Sequence, residues 1–225
     1  MACVCVCMCV FDFQGRGRES SWRLAQLSES TPNPPSLLSS HTLQPTPPVG
    51  DYHVPHRAAA IPEKIQRMLV PNKMKHVLCT GNIGNKEQLQ ELQALAPNVH
   101  VVRGDFDEDA DLPEHKVITI GQFKVGLIHG HQIVPWGDSS ALAMTQRQLD
   151  VDILISGHTH RPAVNHFDGR WYLNPGSITG AYSSMTQDVN PSFILLAVNG
   201  NKITIYVYEL RNGDIAVTKS EFTKN

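Results

Sequence analysis

Apolar positions change their period several times along the chain, and each change marks an element. Ile61-Pro62 opens a helix with proline at an early position, where its missing N–H breaks no bond. Ile65, Met68 and Leu69 mark the buried face of that helix, and Pro71 stops it. His76 to Thr80 is a short apolar strand running into Gly81-Asn82. Asn85 caps the next helix, in which Leu89, Leu92, Leu95 and Ala96 recur at helical spacing. Val99 to Arg103 is again a strand, ending at Gly104-Asp105. Strand, helix, strand in this rhythm predicts a parallel sheet.

Lys116 to Ile128 reads as a hairpin around Gly121-Gln122, a dipeptide suited to a tight turn with glycine first. It runs into His129-Gly130-His131. Asp138 caps a third helix carrying Ala141, Leu142 and Leu149. Asp150 to Ile155 is a buried strand that delivers Ser156-Gly157-His158-Thr159-His160. Beyond it, Asp168-Gly169, Asn199-Gly200 and Asn212-Gly213 punctuate apolar runs and favour turns with positive φ. Parallel units followed by hairpins predict an α/β fold with two packed β-sheets flanked by helices.

The first 48 residues have a different texture. Ala2 to Val10 alternates cysteine with valine, a strand-like pattern, and six prolines crowd between Pro32 and Pro48 among Ser and Thr. Such a Pro/Ser-rich stretch lacks the apolar residues to offset its ordering entropy and is expected to be disordered. Two units follow: an atypical extension over residues 1–48 and a domain over 49–225. Prolines at 45, 47 and 48 forbid a central strand directly before Asp51, which leaves two readings: the Cys/Val run supplies a first strand from a distance, as loop-closure entropy permits, or the chain is a variant product in which that strand is absent.

Composition narrows the function. Nineteen basic residues against 21 acidic ones steer the chain to neither nucleic acid nor an anionic membrane. No run reaches the roughly 18 apolar residues of a membrane-spanning helix. Four of the five cysteines fall within the first nine residues, unlike a secreted disulfide framework, and the opening stretch lacks the basic start of a signal peptide. A cytoplasmic protein is expected.

The candidate chemistry lies at strand ends. Asp51 and His53 form Asp-x-His; Asn82, Asp105, His129, and His158 with His160 each follow a predicted strand. Loops leaving the carboxyl ends of strands in an α/β sheet converge on one site. Imidazole nitrogen mixed with carboxylate and amide oxygen suits Zn²⁺, Mn²⁺ or Fe better than Ca²⁺. Seven ligands exceed one tetrahedral site and suit a pair of cations, which clamp a phosphate and activate a hydroxide.

Gly50-Asp51-x-His53, Gly81-Asn82, Gly104-Asp105-x-Asp107, His129-Gly130 and Gly157-His158-x-His160 follow the motif order of the calcineurin-like metallophosphoesterases, which the chain resembles. Cys79-Thr-Gly-Asn82, Val102-Arg-Gly-Asp-Phe-Asp-Glu108, Gly126-Leu-Ile-His-Gly-His131, Pro135-Trp-Gly-Asp138 and Asn174-Pro-Gly-Ser177 bring the likeness closest to one member group, the small subunits of the retromer coat. The resemblance implies a metallophosphoesterase-like αββα sandwich, and two divalent cations (Zn or Mn) on the seven residues above. It also implies a scaffold role in endosome-to-Golgi transport, peripheral to the endosome membrane through its complex.

Two departures from the catalytic pattern support the scaffold. The family's enzymes place a bridging carboxylate at the position of Asn82 and an Asn at that of Asp105; here the two are exchanged. Many also place a His at the position of Phe106 to protonate the leaving group, and phenylalanine has no proton to give. A weak divalent-metal phosphodiesterase remains the alternative. By the same resemblance, the partner is the helical solenoid subunit, vacuolar protein sorting-associated protein 35. It docks on the metal-pocket face, with Ile133 and Val134 as an exposed apolar rim. Leu195, Tyr206 and Tyr208 match an apolar surface that recruits regulators of small GTPases.

Overall fold

The computed structural model describes residues 7–12, 57–58, 60–71, 74–84, 86–109 and 111–224. Eleven strands are described: β1 (Cys7–Asp12), β2 (His76–Cys79), β3 (Asn98–Val101), β4 (His115–Ile120), β5 (Phe123–Ile128), β6 (Ile153–Ser156), β7 (Ala163–Phe167), β8 (Arg170–Asn174), β9 (Ser192–Asn199), β10 (Lys202–Arg211) and β11 (Asp214–Thr223). The helices are α1 (Glu63–Gln66), α2 (Lys86–Leu95) and α3 (Ser139–Leu149).

The strands form a six-stranded sheet in the order β11-β10-β9-β1-β2-β3 and a five-stranded sheet in the order β4-β5-β6-β8-β7. Alternation along each strand sorts side chains between layers. Leu78, Ile194, Leu196, Val198, Ile203 and Ile205 from the first sheet meet Phe123, Val125, Leu127, Ile153 and Ile155 from the second in the central core. The opposite parity faces the helices. Val77, Cys79 and Phe193 pack with Ile65 of α1 and Leu92 of α2, while Leu154 and Tyr172 pack with Leu142 and Ala143 of α3. The expected α/β sandwich is therefore the observed one.

Several boundaries shift for local reasons. Helix α1 is one turn long and Pro62 is its N-cap; Met68 and Leu69 bond back only three residues, to the carbonyls of Ile65 and Gln66. β3 ends at Val101 because the Arg103 N–H turns to the Pro113 carbonyl, 2.7 Å away. Asp138 caps α3 as expected, accepting from the Ala141 N–H at 2.8 Å, but Asp150 belongs to the helix as a left-handed C-cap (φ 50°) and not to the strand after it. Asp168-Gly169 and Asn212-Gly213 take positive φ at both positions. At the third turn only Gly200 does, and Asn199 stays in β9 opposite Lys202. The expected cap at Asn85 falls outside the described residues.

Strand β1 fills the middle of the six-stranded sheet, parallel to β9 and antiparallel to β2. Cys7 pairs with Cys79 and Val10 with His76, so β1 runs away from the sheet end that carries Asn82. Cys7 to Asp12 thus pair with both neighbours, while the rest of the Cys/Val run lies outside the described residues.

Candidate functional site

Four strand ends converge as the sequence suggests. β2 delivers Asn82, β3 delivers Asp105, β5 delivers His129, and β6 delivers His158 and His160. The convergence needs two backbones in contact. A Cβ on Gly81 (φ 110°) would stand 2.4 Å from the Gly104 nitrogen and 2.6 Å from the Val102 carbonyl oxygen, so only glycine lets the two loops touch. Asp107 locks them together: its Oδ2 accepts the N–H of Asn82 at 2.5 Å and of Gly104 at 2.8 Å.

Asn82 is nearly buried and adopts a left-handed φ of 58°. Its Oδ1 accepts the Phe106 N–H at 3.0 Å. That bond turns the amide nitrogen toward Asp105 Oδ1, 3.2 Å away, and His129 Nε2, 3.1 Å away. The fully buried His129 donates from Nδ1 to the Thr80 carbonyl at 2.8 Å, because a carbonyl only accepts. Its Nε2 then faces Asp105 Oδ1 at 2.9 Å. His158 Nδ1 lies 3.9 Å from the same oxygen. Donor atoms of Asp105, His129 and His158 all fall within 4.8 Å of one another. His160 is outside that trio, its Nδ1 donating to the Ala181 carbonyl, while Asp51 and His53 lie outside the described residues.

The electrostatics prepare the trio for a cation. Burial lowers His158 to about 4, with the neighbouring His129 and His131 charges adding to the effect against Asp105. Neither of its buried ring nitrogens has a hydrogen-bond partner among the described residues. A buried, neutral imidazole with no partner is a ligand in waiting. Burial pushes the Asp105 carboxyl up, but its hydrogen bond to His129 and the two histidine charges outweigh that and hold it below the usual value. The donor set fits a borderline divalent metal, with the His129–Thr80 bond fixing the ring as outer-shell bonds do in metal sites.

Around the trio runs an apolar rim. Val134 is 76% exposed, and Phe106, Trp136, Tyr182 and Met185 are each 40–48% exposed. Trp136 meets His158 edge-on at 4.4 Å. The Arg57 guanidinium lies over the Phe106 ring at 5.8 Å and the Tyr182 ring at 5.0 Å, and donates to the Tyr182 carbonyl at 3.2 Å. Ile133, expected on the rim with Val134, is instead 6% exposed and packs beside Ile128 and Leu142. Its N–H bonds to the Gly130 carbonyl at 3.2 Å, a turn that points one side chain in and the next out. Leu195, Tyr206 and Tyr208 are half-buried on the far sheet's helix-side face, where Tyr208 stacks on Phe193 at 4.7 Å.

Sequence reasoning missed Arg57, Tyr182 and Met185, which carry no motif of their own. It quoted Asp107 without a role, although Asp-x-Asp after a strand was a usable signal.

A fold of two packed sheets with a His/Asp trio at the strand ends defines a phosphoesterase class of protein. Residues 48–201 match the calcineurin-like phosphoesterase superfamily domain. Vacuolar protein sorting-associated protein 29 of Schizosaccharomyces pombe is 36% identical over 180 residues, covering 78% of this chain and 96% of that one. The crystal structure of wild-type Vps29 complexed with Zn²⁺ from Entamoeba histolytica is 52% identical with a TM-score of 0.73, covering 77% of this chain and 97% of that one. The structure of vacuolar protein sorting 29 from Cryptosporidium parvum is 43% identical with a TM-score of 0.74, covering 79% and 96%. The chain belongs to the calcineurin-like phosphoesterase superfamily and, within it, to the vacuolar protein sorting-associated protein 29 family.

Proposed function

We propose that this chain is a non-catalytic scaffold subunit of retromer, serving endosome-to-Golgi transport by docking on the helical solenoid subunit through its metal-pocket face. The observation that carries this reading is the apolar rim. Five of the large apolar side chains exposed among the described residues, Phe106, Val134, Trp136, Tyr182 and Met185, sit on loops around one cluster of two buried histidines and the exposed Asp105. A charged phosphate gains little from such a rim, whereas another protein gains apolar contact. Phe106 stacks under Arg57 and offers no proton to a leaving group, so efficient monoester hydrolysis is absent.

The cluster holds two divalent cations, Zn²⁺ or Mn²⁺, on Asp51, His53, Asn82, Asp105, His129, His158 and His160. A bound dication would supply Lewis acidity and charge to the rim's centre. His129 is oriented for this by Thr80, and His160 by Ala181. Residues 49–225 form the domain, to which the 1–48 extension adds its strand. Leu195, Tyr206 and Tyr208 make a second surface for regulators of small GTPases. The protein is cytoplasmic and reaches the endosome through its complex. The buried His158 nitrogens, without a hydrogen-bond partner among the described residues, favour a second reading, a weak metal-dependent phosphodiesterase.

Val134→Asp tests the first reading. Val134 is exposed in the isolated chain, so the fold keeps its melting temperature, while an aspartate in the desolvated contact costs several kcal/mol. Loss of solenoid capture with unchanged melting supports docking. Retained capture, or a wild-type kcat in the enzyme range of about 1–10³ s⁻¹ on a phosphomonoester, would falsify it.

A further inference from the structure

We propose that Trp136 is a positioning residue for the metal centre: its indole holds the His158 ring in place, as hydrogen bonds do for the other histidines. The inference rests on the metal reading above and deepens it by one residue that carries no ligand atom of its own. The histidines of the cluster are held in unequal ways. His129 Nδ1 donates to the Thr80 carbonyl at 2.8 Å, and His160 Nδ1 donates to the Ala181 carbonyl. His158 is also buried, at 5% exposed, yet neither ring nitrogen has a hydrogen-bond partner among the described residues. Metal-ligating histidines ordinarily use the second nitrogen on an outer-shell acceptor, which fixes the tautomer and the ring angle. No such acceptor faces His158 among the described residues, and an aromatic ring stands beside it instead.

The Trp136 and His158 ring centroids are 4.4 Å apart and the planes stand 76° to one another; His129 and His131 are the next rings, at 5.3 and 6.3 Å. Edge-to-face rings at this separation attract through a positive edge on a negative face. They are also in contact, so the imidazole cannot turn about its χ2 bond without meeting the indole. Trp136 is itself fixed. Its Nε1–H donates to the His131 carbonyl at 3.3 Å, and the Asp138 N–H bonds to the Pro135 carbonyl at 3.2 Å, closing a turn just ahead of α3. Gly137, at φ 76°, brings this turn against Thr159, whose Cγ2 would lie 3.5 Å from a Cβ there. The loop after β5 therefore leans on the loop after β6, and the indole is its contact with a ligand. At 40% exposed, Trp136 also covers His158 on the solvent side. Removing the indole frees the ring to turn and opens a path by which an ion leaves.

The test uses the full chain and Zn²⁺ alone, with affinity read by competition against a chromophoric chelator and release read after mixing loaded protein with excess EDTA. Trp136→Ala should bind Zn²⁺ about tenfold more weakly, the lower end of what outer-shell changes cost, and release it correspondingly faster. Trp136→Phe keeps a flat ring without the Nε1 bond and should recover most of that loss. In a His158→Ala background, Trp136→Ala should make little further difference, because its effect passes through that ring. In metal-free wild type the His158 ring protons should give narrow lines and NOEs to the indole, and Trp136→Ala should broaden those lines. Wild-type affinity and release in Trp136→Ala overturn the inference and leave the metal reading standing. So does a loss of the same size that persists without His158, which makes Trp136 a cover for the whole cluster and not a support for one ligand. A wild type that binds no Zn²⁺ removes the metal reading and the inference together. Should Trp136→Ala melt early in EDTA, Trp136→Leu, which keeps apolar cover without a ring, decides: fast release supports the claim and wild-type release overturns it.

Discussion

Asn82 shows how much one atom sets at the residue scale. Its amide nitrogen points at Asp105 and His129, so hydrogen bonds tie these three side chains together at the position where the resembled enzymes place a carboxylate. Asn82→Asp puts two carboxylates about 3 Å apart, and like charges that close cannot both ionise cheaply without a cation between them. The variant is expected to bind Mn²⁺ or Zn²⁺ about tenfold or more tighter than wild type and to melt lower in chelator, measured by calorimetry and thermal unfolding. Unchanged metal affinity would remove Asn82 from the ligand set. Asn82, Asp105, His129 and His158 were legible because each directly follows a strand. Arg57, Tyr182 and Met185 were not, since they act through ring faces and contacts more than 40 residues apart. Ile133 and Val134 were indistinguishable in sequence, because a loop has no period to say which side chain turns inward.

At the scale of elements, the site depends on two loops touching at glycine. Gly81→Ala forces a Cβ onto the Gly104 nitrogen at a φ that L-residues rarely adopt. It should cost about 2 kcal/mol or more, read from urea unfolding, and loosen the Asp107 contacts that hold Asn82 and Gly104. A loss within 0.5 kcal/mol, the range of a neutral surface change, would mean the loops move apart freely. Strand β1 makes a second claim. Deleting residues 1–12 leaves β9 and β2 with unpaired edges in the middle of a sheet, so the shortened chain should unfold without cooperativity or aggregate. Cooperative unfolding with an unchanged m-value would show β1 to be dispensable. The strand–helix alternation and the hairpins were readable from period and turn chemistry. The direction of β1 was not, since a strand's residue pattern is the same whichever way it runs.

For the whole molecule, burial makes acid a stress. His100 falls to about 4, first through burial and then through the Lys116 and His76 charges, and burial takes His158 to about 4 as well. Both are neutral in the folded chain and regain their ordinary value of about 6.5 on unfolding. Their stabilisation is therefore full above that value and is lost as pH falls from there through 4. Metal-free protein should take up about two protons on unfolding near pH 5, read from the slope of unfolding free energy against pH. A flat profile over that window would contradict the burial of these rings. Asp105, held low, adds its own loss only at more acid pH. The docking face itself is most directly read by hydrogen exchange of the full chain with and without the solenoid partner. The account predicts protection at residues 104–109, 131–137 and 181–186, with no change across the β10–β11 hairpin. Protection on that hairpin alone, with the rim exchanging as in the free chain, would contradict it.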